Sequence, residues 1–214
     1  SIYELVNEAK QLVDNGSKEI TLLGQNVNAY DYKGKKLSNL ILEISKLKDL
    51  KRIRYTTSHP RDFSKDLIEV HKDCEKLMPL IHLPVQSGSN RILETMNRKH
   101  SIEEYLEIVE KLKKAKPNIK LSSDFIIGYP GETQTDFEET LELMKKVKFI
   151  NSYSFLFSAR PGTPAFNLKT VDEELAKKRL TTFQNISNKI KTDYRKTLLG
   201  ETVPVLFENK TKEG

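Results

Sequence analysis

Five short apolar runs, each closing in a polar loop, recur along the chain at a spacing of about thirty residues. They are residues 19–23, 52–57, 80–85, 121–127 and 152–157. A run of that length bounded by turn formers reads as a buried strand. Between the runs lie segments with apolar residues at helical spacing. Ile2, Leu5, Val6, Ala9, Leu12 and Val13 make one such face; Leu40, Ile41, Ile44 and Leu47 make another. Strands that alternate with helices in this way predict a parallel α/β sheet or barrel, whose ligands collect at the C-terminal ends of the strands.

Local signals set the element boundaries. Asp14-Asn15-Gly16 stops the first helix, with Gly16 suited to a left-handed C-terminal position. Residues 31–36 are expected to form a charged loop, and 66–72 a short helix. Ser101 with Glu104 forms a capping box, and Pro117 ends the helix it opens. Phe137, Leu141, Met144 and Val147 mark the next helix. A long, basic, amphipathic helix is expected over 171–199, then a new strand over 202–207.

Composition narrows the function. The net charge is +6 and the pI about 9.1, which suits a polyanionic partner, although a lysine-rich surface also gives such values. Cys74 is the single cysteine, so the chain supplies neither a disulfide framework nor an all-cysteine cluster site. No run approaches the roughly 18 apolar residues of a membrane span, and residues 1–16 are amphipathic and acidic rather than a signal peptide. The cytoplasm is the expected compartment.

The strand-end loops are poor in catalytic groups: no zinc spacing, no serine–histidine–aspartate set and no phosphate loop ending in Lys-Ser/Thr. They are rich in amides and glycine. Gly24, Gln25 and Asn26 offer oxygens to an ammonium group, Gln86 and Ser87 suit ribose hydroxyls, and Arg160 suits a carboxylate or phosphate. Residues 128–131 allow close backbone approach to a flat ring. Together they describe a nucleoside–amino acid ligand. Ser58, His59 and Asp124 belong to the same face. His82 reads as a satisfied core or interface histidine, His71 and His100 as surface residues, and Cys74 as incidental. Met96, Asn97 and Arg98 lie toward the site without an evident role.

Five motifs carry a resemblance: residues 22–30 (LLGQNVNAY), 52–60 (RIRYTTSHP), 82–89 (HLPVQSGS), 124–133 (DFIIGYPGET) and 157–164 (FSARPGTP). In that order they resemble the radical SAM methylthiotransferases over essentially the whole chain. The resemblance implies a partial, open (β/α)6 barrel, here strands two to six, over residues 1–170. A linking helix would cover 171–199, and the start of a C-terminal β-barrel (TRAM) domain 200–214. It implies S-adenosyl-L-methionine and 4Fe-4S clusters as cofactors. The cofactor contacts would fall on Gly24, Gln25, Asn26, Ser58, His59, Gln86, Ser87, Asp124, Ile126 and Arg160.

The implied reaction adds a methylthio group to carbon 2 of isopentenyl-adenosine in tRNA beside the anticodon. The implied partners are tRNA and an electron donor of flavodoxin type. Sister branches act on threonylcarbamoyl-adenosine or a ribosomal protein. A non-catalytic RNA-binding module is the alternative of another class, and a barrel aldolase lacks its lysine or paired carboxylates. The cluster-binding cysteine loop and auxiliary-cluster domain of the family have no counterpart here. The chain is therefore expected to be a fragment, inactive by itself and with no metal or catalytic residue of its own. A free strand edge at 19–23 would be open to self-association.

Overall fold

The computed structural model describes residues 1–56 and 58–207. In chain order the helices and strands are α1 (Ile2–Asp14), β1 (Glu19–Leu22), β2 (Asp31–Tyr32), β3 (Lys35–Lys36), α2 (Leu37–Ser45), β4 (Arg52–Tyr55), α3 (Lys65–Asp73), β5 (Leu80–His82), α4 (Asn90–Thr95), α5 (Ile102–Ala115), β6 (Lys120–Ile127), α6 (Gln134–Val147), β7 (Asn151–Leu156) and α7 (Glu173–Lys196). β1 pairs in parallel with β4, and β5, β6 and β7 form a parallel ladder in that order. Among the described residues a single bridge, Ile53 to Leu77, joins the two groups, and the strands there form an open α/β array without barrel closure.

Helices cover one side of the strands. Ile41, Ile44, Ile53, Ile81, Phe125, Phe149 and Phe183 are all fully buried between the layers. The other side is open: Tyr153 and Phe155 on β7 are about half exposed there, 49% and 56%, beside Asp124 and Ile126 on β6. The capping boxes form as local chemistry dictates, at Ser1–Glu4, Ser101–Glu104 and Thr133–Asp136.

Several expectations need correction. Residues 31–36 are not a plain loop: β2 and β3 pair antiparallel around Lys33 and Gly34, both at positive φ, which is how a two-residue hairpin turn matches strand twist. Residues 202–207 form no strand. They run as irregular chain, and the Pro204 carbonyl accepts a hydrogen bond from Arg52. The strand expected to reach Thr57 ends at Tyr55, and Thr57 lies outside the described residues, as do 208–214 of the expected next domain. α4 was not foreseen. His71 and His100 are buried, not superficial: His71 Nε2 lies 2.6 Å from the Tyr55 hydroxyl, and His100 packs against His59 and Tyr105. Cys74 is a core residue at the end of α3, packed as a small apolar group.

Candidate functional site

The stretch after β5 explains how the site is built. Pro84 has no N–H, so the β5–β6 ladder breaks after Leu83 donates to the Ser122 carbonyl. The Val85 N–H is served instead by the Ser123 hydroxyl, a buried side chain. Pairing resumes at Gln86, which bridges to Phe125. Three residues between His82 and Gln86 thus face two between Ser122 and Phe125 on β6, a bulge that re-aims the chain from Gln86 onward. Gln86 takes a φ of +77°, an uncommon conformation for a side-chain-bearing residue. Its backbone N–H and C=O are tied to Asp124 and Ile126, so these three expected site residues are held together.

The next three residues behave differently. Ser87 is buried; its hydroxyl accepts from the Ser89 N–H and lies 3.4 Å from the Thr140 hydroxyl on α6. The Gly88 N–H donates to Thr140, and a Cβ on Gly88 would meet the Thr140 backbone at 2.5 Å. Ser89 donates to Asp136, which also receives Arg91 and Thr133. Burial alone would raise the Asp136 carboxyl. Hydrogen bonds from Arg91, Ser89 and Thr133 outweigh it and hold the group well below the usual carboxylate range. Ser87 therefore docks this loop on α6.

The loop after β6 is locked in a similar way. Glu132 accepts from the Gly128 N–H with both oxygens and pairs with Arg179 of α7 at 2.9 Å, both side chains nearly fully buried. A Cβ on Gly128 would stand 2.8 Å from the Ala176 methyl, so only glycine lets α7 approach this closely.

At the ends of β1 and β4, polar atoms are left without partners among the described residues. Gln25 is exposed. Asn26 donates to Asp62 at 2.6 Å, but its buried carbonyl oxygen accepts nothing. Ser58 is 5% exposed, and its hydroxyl has no partner. Asn28 clamps the His59 backbone through both its N–H and C=O. The His59 ring stands edge-on to His100, whose two ring nitrogens are also unpartnered. Burial and the nearby Arg98 cation push His59 down from its ordinary value, and His100 down to about 4.

Arg98 completes the arrangement. It donates to the Pro84 carbonyl and its Nε has no partner among the described residues; burial pulls it below its ordinary value, opposed by the Asp124 charge, and its own charge lowers His59 and His100. Sequence reasoning noticed Arg98 but gave it no role, and it missed Asn28 and Asp62. The polar run Ser58-His59-Pro60-Arg61-Asp62 was the available signal for Asp62. Arg160, expected at the site, is exposed; its carbonyl caps Thr163. His82 is held at both ring nitrogens, by Ser122 at 3.0 Å and Asp124 at 3.4 Å, on the open face.

Comparison with known proteins fits this geometry. The model of the Radical SAM superfamily matches residues 1–144, and the chain belongs to that superfamily. Two curated relatives are named tRNA-2-methylthio-N(6)-dimethylallyladenosine synthase. The one from Pelagibacter ubique (strain HTCC1062) is 58% identical over 99% of this chain and 48% of its own length. The one from Wolbachia pipientis subsp. Culex pipiens (strain wPip) is 53% identical over 98% and 49%. The chain thus spans about half the length of the curated relatives it matches. Among solved structures, coproporphyrinogen III oxidase (HemN) from Escherichia coli shares the fold at a TM-score of 0.65 and 13% identity, over 88% of this chain and 46% of that one. The archaeal Elp3 of Methanocaldococcus infernus does so at 0.55 and 15%, over 91% and 58%.

The superfamily's cofactors are S-adenosyl-L-methionine and a 4Fe-4S cluster. The residues present fit the first: unpartnered oxygens on Asn26 and Ser58 and the half-buried Arg98 cation border the strand ends. They do not fit the second. Cys74 is the single cysteine and is buried at the end of α3, and no group of three or more His, Cys, Asp or Glu among the described residues could hold a metal ion.

Proposed function

We propose that this chain is the S-adenosyl-L-methionine-binding core of a tRNA methylthiotransferase that acts on carbon 2 of N(6)-dimethylallyladenosine. The observation that carries this reading is 58% identity, over nearly the whole chain, to a relative named for that reaction. The unpartnered polar atoms at the ends of β1 and β4 support it. Gly24, Gln25 and Asn26 receive the ligand's ammonium group. Ser58, His59, Gln86 and Ile126 bound its nucleoside, and Asp124 with Arg98 forms the charged floor. Arg160 and Ser87, included among the expected contacts, contribute at the rim and through the loop fold respectively. When bound, the cofactor supplies radical chemistry; these residues bind it and orient it.

In the same reading residues 1–170 supply the barrel, 171–199 link onward and 200–214 open the next domain. The partners are tRNA and a flavodoxin-type electron donor, and the setting is the cytoplasm; no helix among the described residues is long and apolar enough to cross a membrane. β1 pairs on one side only among the described strands, which leaves an edge for a neighbouring strand, including one from a second copy.

The test is a chimera. This chain replaces the matching segment of the Pelagibacter ubique relative, in a bacterium that lacks its own synthase, and tRNA nucleosides are measured by mass spectrometry. The methylthio nucleoside is expected to return. A chimera that accumulates normally yet leaves only dimethylallyladenosine would overturn the proposal.

A further inference from the structure

A groove of about 710 Å³ lies on the far side of the molecule from the strand-end loops, at the entry ends of β6 and β7. α5, α6 and α7 form its walls. Its floor is apolar: Ile150, Ile186, Ile190 and Tyr194 are each half-buried there. Its rim is basic. Lys113, Lys120, Lys145, Lys148 and Lys189 surround the floor, against one acid, Asp193.

These amines are not ordinary paired surface charges. Lys46, Lys111 and Lys177 elsewhere on the helices each meet a glutamate within 3 Å. None of the five rim lysines forms an ion pair among the described residues. They crowd one another as well: Lys120 and Lys148 add to burial in pushing Lys113 below its ordinary value. Lys148 sits at the C-terminus of α6 in the left-handed conformation, at φ +58°, where glycine is the usual residue. A lysine there keeps a cation at the rim despite the backbone cost.

Shape selects among anions. The floor follows α7 and its C-cap from Ile186 to Thr197, twelve residues with a rise of about 16 Å. That length accepts three turns of a second helix. An RNA strand would satisfy the lysines but lay hydrated phosphates over isoleucines. Its bases would find one ring to stack on, Tyr194, whose face already carries Lys120 at 5.2 Å.

We propose that this groove docks an acidic amphipathic helix of a protein partner, with the partner's apolar face on Ile150, Ile186 and Ile190 and its carboxylates among the rim lysines. The mode is helix-in-groove, with apolar anchors at helical spacing and charge setting specificity. The docking surface stands apart from the strand-end site, so a partner bound here leaves that site open.

The test measures fluorescence anisotropy of a labelled fourteen-residue helical peptide, leucines on one face and glutamates elsewhere, against the whole chain. Saturable binding is expected, weakened roughly tenfold between 50 and 300 mM salt because the contacts are charge pairs at a solvent-exposed rim. Reversing Lys145, Lys148 and Lys189 to glutamate is expected to weaken it about tenfold or more, and the uncharged Ile190→Asn to weaken it at low and high salt alike. Unchanged melting temperatures confirm that the variants fold. No saturable binding overturns the proposal. So does equal binding by the charge-reversed variant, or by an oligouridylate of matched charge, which would make the groove an RNA surface.

Discussion

Ser58 and Ser87 are both buried serines at strand ends, in motifs of similar composition, and they do opposite things. Ser87 spends its hydroxyl on Ser89 and Thr140 and fastens its loop to α6. Ser58 spends its hydroxyl on nothing among the described residues. The contrast extends to the halves of the molecule around them. The loops after β5 and β6 are fastened to α6 and α7 through Asp136, Glu132 and Arg179. The loops after β1 and β4 carry open valences on Asn26 and Ser58 among the described residues. A buried polar group without a partner costs stability, so a fold retains it where a ligand completes the bond. The loops that turn inward after Gln86 and after Ile127 are scaffold; the β1 and β4 loops, with Gln86, Asp124 and Ile126 at the neighbouring strand ends, are where binding is to be sought.

The largest effect on that comparison should come from α7. Arg179→Met leaves the Glu132 carboxylate buried and unpaired, which costs about 3–5 kcal/mol in chemical denaturation. Adding Glu132→Gln should recover part of that loss; no recovery would mean that the ion pair is not what fastens the loop. Gly88→Ala is next, at about 1–3 kcal/mol, because the new methyl meets Thr140 backbone that cannot yield without moving α6.

Acid sharpens the comparison from another side. Burial lowers His71 to about 3 and His100 to about 4, so both are neutral when folded and protonate first in the unfolded chain. The unfolded state then binds more protons below its own pKa, near 6.5, and stability falls as pH drops from there toward the folded values. Each pH unit in that window costs about 1 kcal/mol per histidine. Denaturation at pH 6.5 and 5.5 checks it, and His71→Gln should remove part of the slope. The smallest effect is Ser58→Ala: deleting a hydroxyl that bonds to nothing should leave stability within about 0.5 kcal/mol or raise it slightly.

The five parallel strands were legible because strand periodicity and loop chemistry are local, and each run needs only its own residues to declare itself. The division of the site was not. Nothing in Gln86-Ser87-Gly88-Ser89 says that the middle of the motif turns inward to α6, since that depends on Thr140 and Asp136, some fifty residues away. His71 and His100 were misjudged because each sits among charged neighbours in sequence but against Tyr55 and Tyr105 in space. Residues 202–207 alternate like a strand, yet alternation alone supplies no partner edge, and the hydrogen bond that the chain accepts there comes from the Arg52 side chain. Arg98 was hidden for the same reason: its role comes from Asp124 and His59, on two other elements.

The most direct measurement is calorimetric binding of S-adenosyl-L-homocysteine, the stable relative of the proposed cofactor, to Ser58→Ala and Ser87→Ala beside the parent chain. Ser58→Ala is expected to bind about tenfold more weakly, the loss of one buried hydrogen bond of roughly 1.4 kcal/mol, with its melting temperature unchanged. Ser87→Ala is expected to melt lower and bind like the parent. Parent-like binding by Ser58→Ala together with weakened binding by Ser87→Ala would contradict the division of the site into scaffold and ligand-facing halves.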